Sequence, residues 1–322
     1  MNEFRWIPGN GIDFAALRRL QAHFPKPSEP MGEAWFMGES RRMYVKLFRE
    51  IDQLSAGELE RPLEEIASGT TCFGPLKEWQ DWYRFLLGEL MTRSHEGILS
   101  PLLELLITAF IALYPSGIDS DEYDGFREDV LLTLGKCMME KECWQSDSEI
   151  AVGKILWRSN KNPNHVWCWW DASGDFSASM FFCLKYLPAS LIPVWLESVL
   201  TIPSPHLRAQ IIVWLVGARD ILVNKISWPG EFPENARPSV SWSWSHCLRG
   251  SFPAEDGTPR TLKALLSEET RIIALKVFES YFTEDIYLEW LTSIARDPDL
   301  EYEIAGIPAQ FEALYVQKNL AQ

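Results

Sequence analysis

Residues 191–218 read LIPVWLESVLTIPSPHLRAQIIVWLVGA, an apolar helix, a proline corner and a second apolar helix. Two apolar helices in succession must be covered by further helices. The stretch therefore points to stacked helix pairs, an architecture used more often to grip a partner than to run chemistry.

Position by position, the stretch resembles one HEAT repeat. The turn is Leu200, Thr201, Ile202, Pro203, Ser204. Leu207 and Arg208 fall where the repeat has Val-Arg, Leu215 and Gly217 fall near its Leu-Gly, and Pro193 sits at the kink of the first helix. Ile202 stands where the family has Asp, so the resemblance does not imply a regular Asp-Arg ladder. Looser echoes occur at 286–314, with Asp297-Pro298 at the corner, and at 101–114 with 126–135. The resemblance implies a HEAT-like α-solenoid.

The rest of the chain agrees with an all-α protein, either such a solenoid or an irregular multi-helical array. Helical periodicity is expected near 12–24, 33–55, 58–68, 75–94, 101–114, 122–141, 147–158, 177–187, 190–201, 204–224, 262–281, 284–296 and 308–318. Ser100-Pro101 and Ser204-Pro205 read as an N-cap followed by proline at the first helical position, and Thr283-Glu284-Asp285 places acids in a first turn. Between the helices, 25–32 and 225–259 read as irregular. The second is a long Trp/Pro-rich loop insertion, expected to pack over the helical layer, with a short strand possible over 241–245. A single domain over 1–322 is expected, with any seam in 225–259.

With 47% hydrophobic residues, the 322-residue chain has enough apolar surface for a large core. Its longest apolar run, 98–114, is broken by Ser100, Pro101, Glu104 and Thr108, which excludes a membrane span there. The start, MNEFRWIPGNGIDF, lacks a basic region followed by an apolar block, so no secretory leader is expected. Six scattered cysteines at 72, 137, 143, 168, 183 and 247 do not form a disulfide framework. A cytoplasmic protein with reduced thiols is expected.

Charge is the second constraint. The net charge is −15, concentrated in 119–149 (ten acids, three bases) and 284–303 (seven acids, one base). Such a field repels phosphate backbones and anionic membranes and speeds association with a basic protein. It also solubilises, the commonest use of an acidic helix face.

No motif fixes a reaction. His95-Glu96 is a single pair where HEAT-like di-iron enzymes use several, and His165-x-x-Cys168 is half a zinc spacing. His246-Cys247 lacks an orienting carboxylate, and 171–175 and 118–125 miss the glycine and acid positions of a calcium loop. The 171–175 stretch reads instead as a turn in which Asp175 or Ser177 caps the next helix. Phosphate-loop, GxSxG and HExxH signatures are absent. No catalytic residue, metal ligand or cofactor is therefore nominated.

Fifteen tryptophans are many, and Trp157, Trp167, Trp169, Trp170, Trp228, Trp242 and Trp244 gather around the long loop. Trp195 and Trp214 read as core. Trp242 and Trp244, in SWSWS, suit either a partner surface or packing of loop on body. The expected function is a non-enzymatic protein–protein interaction module for a basic partner, of inhibitor or immunity type. Its expected contacts are Asp119, Asp121, Glu122, Asp124, Trp242 and Trp244. The alternatives are an enzyme with its site under 225–259, or a carbohydrate or small-ligand binder using the tryptophans.

Overall fold

In a computed structural model of the chain, helices begin where the sequence supplies caps. Asp13 accepts from the Ala15 and Ala16 amides at 2.8 and 2.9 Å to start α1 (Phe14–His23). Ser204, Ser267 and Thr283 do the same for α9 (Pro205–Gly217), α11 (Glu268–Tyr281) and α12 (Glu284–Ile294). The structure describes residues 3–36, 39–68, 76–94, 102–118, 122–145, 148–151, 171–253, 259–261 and 263–317.

The remaining elements, in order, are β1 (Glu33–Phe36), β2 (Glu39–Arg42), α2 (Val45–Glu50), α3 (Ala56–Ser68), α4 (Leu76–Leu90), α5 (Leu102–Leu113) and α6 (Phe126–Leu132). They continue with α7 (Gly174–Tyr186), α8 (Ile192–Leu200), α10 (Arg219–Leu222), β3 (Ser251–Pro253), β4 (Pro259–Thr261), α13 (Pro298–Glu303) and α14 (Ile307–Phe311). The protein is helical, with two short antiparallel strand pairs, β1–β2 and β3–β4, among the described residues.

Several segments depart from expectation. Glu33–Phe36 and Glu39–Arg42 pair as antiparallel strands in place of a helix. Gly32, at φ 77°, takes a left-handed conformation, and pairing continues past the strands as Met43 N donates to Gly32 O and Tyr44 N to Met31 O. The expected helix over 122–141 stops at Thr133, whose hydroxyl turns back on the Asp129 carbonyl at 2.7 Å, and resumes as 3-10 turns at Leu134–Met139 and Lys141–Cys143. Of the expected 147–158 helix, residues 148–151 are not helical, since Ile150 bridges Trp144; 147 and 152–158 lie outside the described residues.

Helices α5, α7 and α9 are covered on nearly all sides, because their sequences are apolar around the whole circumference. Helix α5 packs between α3 and α7, α1 lies on α4 and α6, α8 lies on α11, and α9 lies on α12 and α14. Phe110 of α5 is an aromatic hub touching Tyr83, Tyr114, Phe126, Phe182 and Tyr186. Trp195 and Trp214 are fully buried, as their sequence context predicts.

The 225–259 loop is stitched to this body. Ala172 N donates to Ser239 O at 2.8 Å, Ser239 N to the Asp171 carboxylate at 2.6 Å, and the Ser177 hydroxyl to Val240 O at 2.5 Å. No strand forms over 241–245; the chain instead turns through a left-handed Trp244 (φ 65°) into a 3-10 turn at Ser245–Cys247. Cys137, Cys143 and Cys183 are buried thiols outside any disulfide among the described residues.

Candidate functional site

The acidic stretch is partly neutralised from within. Arg84 of α4 binds Glu122 and Asp81, and its Nε donates to the Tyr114 hydroxyl at 3.0 Å. That hydroxyl in turn donates to Glu122 at 3.0 Å. Glu122, one of the expected partner contacts, is therefore tied to an internal arginine. Asp129 is likewise paired, with Arg19 at 2.5 Å and with the Tyr123 hydroxyl. Asp124 is exposed; Asp119 and Asp121 lie outside the described residues.

The tryptophans divide in the same way. Trp242 is only 6% exposed, packs on Phe181, and donates its indole N–H to the Thr108 hydroxyl at 2.8 Å, so its ring is not a surface platform. Trp244 is half-buried, donates to Glu64 at 3.1 Å and lies against His246. Trp157, Trp167, Trp169 and Trp170 lie outside the described residues, as do His95-Glu96 and His165-x-x-Cys168.

Among the described residues flagged by motif, some have structural partners. Asp171 is bound to Ser239 N. Neither Asp175 nor Ser177 caps α7: its N-cap is Ser173, and the Glu104 carboxylate occupies the space that a side chain on Gly174 would fill. The Cys247 thiol is pushed up by burial, the reverse of what an activated thiolate needs. Among the described residues no group of three or more His, Cys, Asp or Glu can hold a metal.

Among the described residues, Lys185 is the most perturbed cation. Its ammonium donates to the Pro115 and Leu265 carbonyls at 2.7 and 3.2 Å and lies over the Trp228 and Tyr186 rings. No described carboxylate is paired with it, and burial pulls it down to about 8. An exposed lysine titrates near ~10.4, so the folded chain gives up this proton first, and the stability Lys185 contributes rises as pH climbs from about 8 to ~10.4. The unfolding free energy of the wild type minus that of Lys185→Met should increase by about 2–3 kcal/mol across that window in urea titrations. A pH-independent difference contradicts the assignment.

One solvent-open feature combines apolar floor and charge. A cleft of about 500 Å³ is lined by Ile12, Phe14, Met91, Thr92, Ser94, Glu140, Lys141 and Glu142. Its geometry follows from the cap. Asp13, held below the usual carboxylate range chiefly by the Ala16 amide, fixes the first turn of α1 and leaves Phe14 59% exposed at its N-terminus. Glu140 accepts from Ile12 N, and the approach is so close that any side chain at Gly11 would overlap its carboxylate. Met91 and Ser94 come from the 3-10 turn that ends α4. The cleft thus joins three segments remote in sequence, two of whose members, Glu140 and Glu142, belong to the acidic stretch 119–149.

A second acidic face lies on α12. Glu284, Asp285 and Glu289 are exposed around Leu288, itself half exposed. Exposed large apolar side chains rimmed by charge mark contact surfaces more often than solitary ones do. No described helix is long and apolar enough to cross a membrane.

Comparison of the chain with protein-family models, with curated proteins and with solved structures returns no match.

Proposed function

We propose that the protein is a non-enzymatic, HEAT-like interaction module of the cytoplasm. It binds a basic segment of another protein at the Phe14 cleft, in the manner of an inhibitor or immunity-type protein. The observation that carries this is an exposed phenylalanine over an apolar floor, with Glu140 and Glu142 outnumbering Lys141 at the edge, on a chain of net charge −15. An aromatic anchor beside carboxylates suits a Lys- or Arg-bearing segment with one apolar side chain. The ring supplies desolvated contact, and the field speeds encounter. The same field disfavours nucleic acid and anionic membranes as partners.

The solenoid reading is supported by the way the helix pairs stack. In the α8–α9 and α11–α12 pairs, first helix lies on first and second on second. Arg208, at the Arg position of the resemblance, reaches Glu289 of the next pair at 3.1 Å and lies over Trp290. His206 stands 3.7 Å from Asp297, the corner Asp of the later echo. These cross-layer contacts resemble repeat-to-repeat contacts without the regular ladder.

The test uses synthetic peptides that alternate Lys or Arg with Leu or Phe, and matched peptides with Glu in place of the cations. They are titrated against the protein at low and high salt. The cationic peptides should bind, weakening as salt rises, and Phe14→Ala should cost at least about tenfold in affinity while leaving stability nearly unchanged. Equal binding of both peptide sets, or an unaffected Phe14→Ala, contradicts the reading.

A further inference from the structure

Glu104 of α5 and Asp175 of α7 are two buried carboxyl groups on helices that pack against each other in the centre of the molecule. Glu104 accepts the Ser243 amide at 2.5 Å, and the hydroxyl one turn later on α5, Thr108, lies 2.8 Å from the Trp242 indole nitrogen and 3.3 Å from the Ser243 carbonyl. From α7, Ser177 binds the Val240 carbonyl. One turn of each helix therefore holds the strap 239–245, and the Glu104 carboxylate that accepts Ser243 lies against Gly174, the residue before Asp175.

No described cation is paired with either carboxyl. On α3, Glu64 accepts from Trp244, and on α4, Tyr83 donates to the Leu106 carbonyl while Arg84 is occupied by Asp81 and Glu122. Across from α7, Asp129 of α6 is paired with Arg19, and Lys185 lies among carbonyls further along α7. On α11, Glu279 is paired with Arg219 of α10. The Cys137 and Cys143 thiols, close enough to feel Asp175, are pushed up by burial and remain neutral.

We propose that a single proton held by the Glu104–Asp175 pair latches the strap 239–245 onto α5 and α7, and that losing this proton releases the strap and uncovers Trp242. Burial raises both carboxyl groups, and the neighbouring Glu104 raises Asp175 further, whereas the Ser243 amide favours charge on Glu104. The proton therefore resides on Asp175, and Glu104 carries the charge that holds Ser243. A carboxyl raised in the fold contributes stability in full below the ordinary carboxylate range, and that contribution disappears as pH rises through its folded-state value. Two uncompensated anions then repel each other and draw in water.

Hydrogen exchange of peptides covering 239–245, corrected for the intrinsic effect of pH, tests the latch in the intact protein. In the wild type, strap opening should increase at least tenfold as pH rises from the ordinary carboxylate range to the alkaline limit of the fold, while peptides from α9 stay protected. Asp175→Asn should abolish that dependence, and Glu104→Gln, which removes the second anion but leaves Asp175 buried, should weaken it. Opening that is independent of pH in the wild type overturns the proposal without recourse to a variant. So does an unchanged dependence in either variant, or α9 opening in step with the strap.

Discussion

Trp6→Ala should destabilise the protein by about 3–5 kcal/mol, visible as a fall in the urea midpoint at unchanged slope. Trp6 is 1% exposed and meets Trp195 edge to face at 5.5 Å. Its backbone N–H donates to the Ser198 hydroxyl at 2.9 Å and its indole N–H to the Gly135 carbonyl at 2.8 Å. One side chain near the chain's start thus ties the 3-10 turn at Leu134–Met139 to α8, across more than a hundred residues of sequence. Truncation leaves a tryptophan-sized void and removes the principal donor to a buried carbonyl. Because domains of this kind are stable by only about 5–15 kcal/mol, a loss of that size is a large share of the total. A change below about 1 kcal/mol contradicts the packing described.

Gly217→Ala should cost about 1–3 kcal/mol through overpacking. A Cβ there would lie 2.7 Å from the Pro238 carbonyl oxygen and 2.7 Å from Val240 Cγ1, where the long loop crosses the end of α9. Backbone on one side and a buried valine on the other leave little to give, so the loop must lift. Gly57→Ala is the control: nothing lies within 4 Å of its Cβ position, and the substitution falls in the first turn of α3. It should be neutral or stabilising by up to about 1 kcal/mol. Equal effects of the two substitutions in thermal melts contradict the loop's seating.

Much of the helical architecture was legible in the sequence, since capped, apolar-periodic segments such as 204–217 and 284–294 form helices by local rules. What local rules miss is set by distant partners. The pairing of 33–36 with 39–42 is fixed by Gly32 and by pairing past the strand ends, and an EAWF segment beside helix-forming residues does not announce it. Glu122 reads as a surface acid until Arg84, 38 residues away, is seen to hold it. In the 98–114 run, Glu104 reads only as a break in hydropathy; its burial beside Asp175 and its hold on Ser243 depend on how α5, α7 and the loop meet. The Phe14 cleft was invisible for the same reason, being assembled from three separate segments, although an aromatic directly after an N-cap aspartate was a signal open to sequence reading.

The most direct test of the central claim is affinity capture from the source lysate, with wild-type protein and Phe14→Ala as parallel baits at low and high salt, the captured proteins being identified and quantified by mass spectrometry. The account predicts one stoichiometric basic partner on the wild type at low salt, released at high salt and much reduced on Phe14→Ala. A neutral or acidic partner that resists salt, or equal capture by both baits, contradicts it.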